Sequence, residues 1–289
     1  MHVISLIAKP GKLDPALVSS LQSAWGGGDA NWLSPDEAAE FPVNALPANL
    51  DQARADIAPM SVDLNAAALK GRRKRLLIAD MDSTMIEQEC IDELAVEAGV
   101  GDLVAGITAR AMNGEIDFEA AVEERVGLLK GLRIDVISKV LADRITLAPG
   151  AKTLVSTMKV NGGYTALVSG GFTQFTRRIA ELLGFDEHRA NILVEADGKL
   201  TGQVARPILG REAKVEALEE IAARLGLTPE DSIAVGDGAN DLGMVARAGL
   251  GVALHAKPTV AAAAPVRINY GDLTALLFLQ GYAREDFVR

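Results

Sequence analysis

Leu76-Leu77-Ile78-Ala79-Asp80-Met81-Asp82-Ser83-Thr84 constrains the fold more than any other stretch of this 289-residue chain. A short apolar run follows the basic segment Lys70–Arg75 and ends in two carboxylates two positions apart. Too short for a helix and bounded by charge, the run fits a strand buried on both faces, as in a parallel sheet. Asp80 would sit at the carboxyl end of that strand, where open α/β sheets place their ligands. Two acids at the tip of a buried strand are costly unless a cation or a reaction uses them. Taken alone, they also fit solvated turn acids.

The flanking sequence supports a sheet. From Ala151 onward, apolar runs alternate with helical patterns: helix 151–160, strand 164–168, helix 173–183, strand 192–196, helix 211–225, strand 232–235, helix 241–248, strand 250–253 and helix 273–280. Asp197-Gly198 predicts a hairpin between 192–196 and 200–204. Such alternation predicts an α/β fold, a parallel sheet with helices on both faces. Directly after Asp82 the period is helical instead. Segments 87–97, 102–112, 118–130 and 135–144 follow one another, separated by Gly99, Asn113-Gly114 and Gly131. Four helices with no strand between them predict an insertion after the first strand, about 87–146. Residues 1–70 predict a small α+β appendage: a strand at 3–8, a helix at 14–24 opened by Asp14-Pro15, a strand within 38–47 and a short helix at 50–57. The expected domains are therefore 1–70 and 71–289, joined at the basic segment, read as a solvated linker.

Charge and cysteine usage exclude several classes of function. Lys+Arg 29 against Asp+Glu 39 gives a net −10, which disfavours bulk attraction to nucleic acid or anionic membrane. One cysteine, Cys90, precludes an internal disulfide framework and fits a reducing compartment. No histidine lies near Cys90 in sequence, so packing is its expected role. His2, His188 and His255 lack metal-ligand spacing. No apolar run spans a bilayer, and the amino terminus lacks a leader pattern. A cytoplasmic protein is expected.

Further polar signals fall at or after later strand ends. Ser169-Gly170-Gly171 precedes a helix and could cradle a phosphate, or be an N-capped glycine turn. Lys214 lies in the first turn of a helix, where a cation opposes the helix dipole unless an anion sits beside it. Gly236-Asp237-Gly238-Ala239-Asn240-Asp241 ends another buried strand in two acids and an amide. Asp80 and Asp237, brought to one sheet edge, would offer the hard oxygen ligands Mg²⁺ prefers. No G-x-x-x-x-G-K-[ST] is present, and Gly236-x-Gly238 lacks the third glycine of a dinucleotide fingerprint.

Asp80-x-Asp82-Ser83-Thr84, Ser169-Gly170-Gly171, Lys214 and Gly236-Asp237-Gly238-Ala239-Asn240-Asp241 resemble the four motifs of the haloacid dehalogenase (HAD) superfamily of phosphohydrolases. The helical insertion resembles that superfamily's small cap. Glu89 in Glu87-Gln88-Glu89-Cys90, Met112-Asn113-Gly114 with Phe118, and Arg125 in Glu123-Glu124-Arg125-Val126 extend the likeness to its phosphoserine phosphatases over residues 76 to about 280. The resemblance implies a HAD-like Rossmannoid core and an N-terminal, ACT-like regulatory module. It implies Mg²⁺-dependent hydrolysis of O-phosphoserine, the last step of serine biosynthesis, through an aspartyl-phosphate on Asp80 with Asp82 as acid and base. Asp80, the Asp82 carbonyl and Asp237 would hold Mg²⁺, supported by Asp241. Ser169, Gly170 and Lys214 would hold phosphate, with Asn240 positioning substrate or Lys214. Glu89, Met112, Phe118 and Arg125 would contact the rest of the substrate from the cap. Neither nucleic acid nor membrane is an implied partner, and a homodimer is left open. Two alternatives stand: a phosphatase or phosphotransferase for another small phosphomonoester such as phosphohomoserine, and a catalytically inactive amino-acid sensor.

Overall fold

The computed structural model describes residues 1–112 and 115–288. The chain divides into two compact units, one of Met1–Ile78, Pro149–Thr165 and Leu218–Arg289, the other of Ala79–Ala148 and Ala166–Ala217.

The first unit begins with an antiparallel sheet of β1 (His2–Ile7), β2 (Asn31–Ser34), β3 (Ala38–Val43) and β4 (Asp63–Ala68), in the order β2-β3-β1-β4. Alternate residues of the strands, Ile4 and Leu6, Phe41 and Val43, then Leu64, form its core with Val18 of helix α1 (Pro15–Ala24) and Ala53 and Ile57 of α2 (Leu50–Ile57). Asp14 caps α1 by accepting the Ala16 N–H at 2.8 Å, with Pro15 in the first turn. Strands β2 and β4 escape sequence pattern. In β4 the positions opposite the core face are Asp63 and Asn65, polar yet only 2% and 0% exposed. The Asp63 carboxylate accepts the backbone N–H of Asn269, Tyr270 and Gly271 at 2.7, 3.1 and 2.9 Å. The Asn65 side chain accepts the Arg267 N–H at 3.0 Å and donates to the Arg267 carbonyl at 2.8 Å. The basic segment is less free than its composition suggests. Arg72 forks onto the Glu40 carboxylate at 2.6 and 2.7 Å, and Arg73 lies 4.2 Å from the centre of the Tyr282 ring.

A second sheet joins β5 (Leu76–Ala79), β6 (Tyr164–Phe172), β7 (Glu187–Asn191), β10 (Ser232–Gly236), β11 (Leu250–Leu254) and β12 (Val266–Ile268), in the order β12-β11-β10-β5-β6-β7. Between β7 and β10, the chain makes the hairpin of β8 (Leu193–Ala196) and β9 (Lys199–Val204). Asp197 and Gly198 both take positive φ there, 51° and 74°, as a type I′ turn requires. Pairs β6–β7, β10–β11 and β11–β12 are parallel. All four residues of β5 are fully buried, as the apolar run demands. Strand order runs out from β5 in both directions, which makes its carboxyl end the switch point of a doubly wound sheet. Strands β7 and β12 were not expected. The first reads Glu-His-Arg-Ala-Asn and the second has three residues, and both are edge strands, where a continuous apolar run is not required.

The insertion holds α3 (Cys90–Glu97), α4 (Gly101–Met112), α5 (Phe118–Gly127) and α6 (Asp135–Asp143). The first begins at Cys90 rather than residue 87 because its approach is extended: Ile86 bridges Leu147, and the Glu87 N–H donates to the Thr146 carbonyl at 3.0 Å. The insertion thus leaves and returns side by side. Leu94, Val104, Val122, Val126 and Val140 are buried, one apolar face from each helix, and Gly99 stops α3 with φ +73°. The Asn113-Gly114 break lies outside the described residues. Helices α7 (Ala151–Val160), α8 (Thr173–Leu183), α9 (Arg211–Arg224), α10 (Leu242–Arg247), α11 (Pro258–Ala263) and α12 (Ala275–Leu279) complete the alternation, with α11 an addition to it. No helix among the described residues is long and apolar enough to cross a membrane.

Asp63→Ala strands three backbone N–H groups. It is expected to lower the unfolding free energy by about 3 kcal/mol, read by urea denaturation of the full chain.

Candidate active site

Asp80 follows the last residue of β5 and is 5% exposed. Its Oδ1 lies 2.7 Å from Lys214 Nζ and accepts the Met81 N–H at 2.8 Å. Lys214, in the first turn of α9, is 2% exposed. The cation that opposes its own helix dipole therefore has the anion that such a position calls for. Each charge is tolerable in the interior because the other is there.

Beyond Asp80 the chain turns tightly. Met85 and Ile86 both donate N–H to the Met81 carbonyl, at 2.9 and 3.1 Å, and Ser83 takes a left-handed φ of 53°. Asp82 lies within this turn. Its Oδ1 accepts the Cys90 N–H at 2.9 Å, at the start of α3, and its Oδ2 accepts the Ser169 hydroxyl at 3.3 Å. Burial holds the Asp82 carboxyl above the usual range; the Cys90 N–H and thiol, the Lys214 charge and Ser169 oppose that shift. Cys90 is buried, its thiol pushed well up by burial and by the Asp82 carboxylate, so it packs rather than reacts.

Ser169, Gly170 and Gly171 belong to the end of β6. The Gly171 N–H donates to Ser169 Oγ at 2.8 Å. A Cβ on Gly171 would lie 2.7 Å from Asp82 Oδ2, and one on Gly170 would lie 3.1 Å from Phe118 Cζ. Close approach, not φ, is what restricts a side chain at either position, more tightly at Gly171. Phe118 opens α5, whose cap residue Asp117 accepts the Ala120 N–H at 2.8 Å. Arg125 lies two turns further along α5. Its Nε donates to the Ala121 carbonyl at 3.1 Å, and Asp92, Glu89 and Asp82 supply the charges around it. Burial lowers its pKa and those acids oppose the change. Glu89, at the cap position of α3, accepts the Ser83 hydroxyl at 2.7 Å. The second unit thus carries Asp80, Asp82, Glu89, Phe118, Arg125, Ser169, Gly170 and Lys214. Met112 ends α4, and its side chain lies outside the description.

The remaining candidates belong to the first unit. Strand β10 runs into Asp237-Gly238-Ala239-Asn240-Asp241. Asp241 is buried, and its Oδ2 accepts the Gly238 N–H at 3.0 Å. Asp241 also fills the space a Cβ on Gly236 would need, as Asn240 does for Gly238. Asp237 and Asp241 are the acids that this segment contributes.

The family model for haloacid dehalogenase-like hydrolases matches residues 77–246. The chain is 46% identical over 233 residues to a phosphoserine phosphatase of Streptomyces coelicolor, covering 80% of this chain and 57% of that protein. It is 49% identical over 205 residues to a phosphoserine phosphatase of Archaeoglobus fulgidus, covering 71% and 59%. The match thus spans less than two thirds of either relative. The crystal structure of the HAD family hydrolase t0658 from Salmonella enterica serovar Typhi superposes with a TM-score of 0.87 at 33% identity. It covers 96% of this chain and 98% of its own, so the likeness reaches into the N-terminal sheet that carries no recognisable motif.

Lys214→Met removes one partner of the buried pair. A loss of about 3–5 kcal/mol is expected in urea denaturation, much of it recovered when Asp80→Asn is added, because the double variant leaves no unpaired charge.

Proposed function

We propose that this chain, which belongs to the haloacid dehalogenase-like hydrolase family, hydrolyses O-phosphoserine to serine and phosphate with Mg²⁺, the last step of serine biosynthesis. The observation that carries the reading is the contrast between two carboxyl groups two residues apart. Asp80 pairs with the buried Lys214 at 2.7 Å, while among the described residues Asp82 has no such ion pair and accepts the Ser169 hydroxyl at 3.3 Å and the Cys90 N–H at 2.9 Å. Two acids with such different surroundings suit two roles, one nucleophile and one proton carrier.

A carboxylate oxygen of Asp80 attacks phosphorus and the bond from phosphorus to the seryl oxygen breaks. The proton of Asp82 passes to that leaving oxygen. Asp82, now a carboxylate, takes a proton from the water that attacks the phosphorylated Asp80, which releases phosphate and restores both acids. Lys214, the Ser169 hydroxyl and the Gly170 N–H hold the phosphoryl oxygens, and Asn240 positions substrate or Lys214. Asp80, the Asp82 carbonyl and Asp237, with Asp241 in support, would hold Mg²⁺, which prefers oxygen ligands of this kind. When bound, Mg²⁺ offsets phosphate charge so that an anionic nucleophile can approach.

From the cap, Arg125 takes the substrate carboxylate in a fork and Glu89 takes the amino group, with Met112 and Phe118 as the apolar lining. Glu89 and Arg125 have opposite charges, as the two ends of an amino acid require, and relatives 46% and 49% identical carry the phosphoserine phosphatase name. Residues 1–70 are a regulatory module in this reading. A cytoplasmic setting accords with the one buried thiol and with a small soluble substrate.

Phosphate release should be measured across phosphoserine, phosphothreonine, phosphohomoserine and sugar phosphates. The expectation is a preference for O-phosphoserine that chelation abolishes and added Mg²⁺ restores, with no turnover by Asp80→Asn; turnover by that variant would rule out the nucleophile. Arg125→Ala should raise KM for O-phosphoserine about tenfold to a hundredfold, the worth of a charge-assisted hydrogen bond, and leave a phosphomonoester lacking a carboxylate nearly unchanged. Equal effects on both would defeat the cap assignment.

A further inference from the structure

We propose that Asn191 is a positioning residue that sets the two phosphate-holding segments against each other; this rests on the phosphate role given above to Gly170 and Lys214. Asn191 ends β7 and is 2% exposed. Its Nδ2 donates to the Gly170 carbonyl at 2.8 Å and to the Leu209 carbonyl at 3.2 Å, and its Oδ1 accepts the Leu209 N–H at 2.7 Å. The partners fix the orientation of the amide, since two carbonyls can face only the NH₂ and an N–H only the oxygen.

The three bonds act on two parts of the cradle, one on Gly170 and two on Leu209. The Gly170 carbonyl shares a peptide plane with the Gly171 N–H, which is itself tied to Ser169 Oγ. Holding that carbonyl fixes the plane and with it the direction of the Ser169 hydroxyl toward Asp82. Leu209 stands two residues before α9, the helix that carries Lys214 in its first turn. Gripping both its N–H and its carbonyl anchors the start of that helix. Phe118 rests on the same pair of segments: the positions a Cβ would take on Gly170 and Gly210 lie 3.1 and 3.4 Å from its ring. Shape alone does not ask for an amide here. A buried aliphatic side chain would fill the volume but leave two carbonyls and an N–H unmet.

Asn191→Asp is isosteric and replaces the donating NH₂ with an oxygen that repels both carbonyls. Asn191→Ser keeps a hydroxyl and loses reach. Both, with the unaltered protein, should be compared in Mg²⁺ buffer for inorganic phosphate binding by titration calorimetry, for kcat and KM on O-phosphoserine, and for thermal midpoint. The expected result is a fall of about tenfold or more in phosphate affinity and in kcat for the folded variants, since small misplacements of positioning groups carry such penalties. Wild-type phosphate affinity and kcat in either folded variant, whatever its thermal midpoint, would overturn the proposal and leave Asn191 a group that only satisfies buried backbone. Should Asn191→Asp not fold, Asn191→Ser supplies the same readings. Phosphate binding keeps this test apart from the substrate assignment: an unaltered protein that binds phosphate but spares O-phosphoserine would sink that assignment, and phosphate affinity alone would then judge Asn191.

Discussion

A carboxylate and an ammonium, both nearly out of water and 2.7 Å apart, set the terms for the rest of the molecule. Neither could stay charged there alone, so the fold must deliver Lys214 on α9 to the end of β5. The parallel sheet does this through ordinary strand–helix geometry: a buried strand ends, and the side chain after it meets what neighbouring segments bring. Asp82 experiences the same interior differently. Instead of a direct ion pair it has hydrogen bonds from Cys90 and Ser169, and burial tips it toward the protonated form. One short turn thus holds two carboxyl groups in opposed electrostatic surroundings.

Close approach is the second constraint. Gly170 and Gly171 have no special φ, yet neither can carry a Cβ without disturbing a neighbour, Phe118 in one case and Asp82 in the other. Asn240 and Asp241 fold back in the same way over Gly238 and Gly236. These side chains therefore sit almost on backbone.

The features legible in sequence were those that interrupt a pattern. Two acids ending an apolar run, paired glycines after a strand, and four helical segments without a strand all stand out against alternation. What stayed hidden was local chemistry that tertiary partners supply. Strand β4 carries Asp63 and Asn65 where an apolar residue would be expected, and strand β7 reads as polar surface. Lys214 was marked by its place in the first turn of a helix, but Arg211, Glu212 and Glu216 around it gave no sign of how deeply it is buried or that Asp80 is its partner. Asn191 has no neighbouring glycine or acid to mark it. Helix starts shifted for a similar reason: the extended bridge at Ile86 and Leu147 consumes three residues that pattern assigns to α3.

Strand β12 is the last strand on its side of the parallel sheet, and such a strand normally leaves a row of backbone donors and acceptors open to any passing chain. Here Asn65 answers both the N–H and the carbonyl of Arg267, as a neighbouring strand would, and Asp63 answers the next three N–H groups beyond the strand. Side chains have taken the place of a seventh strand. The N-terminal sheet therefore acts as a border for the parallel one: it ends the pairing within the molecule and removes a surface on which another copy could have continued it.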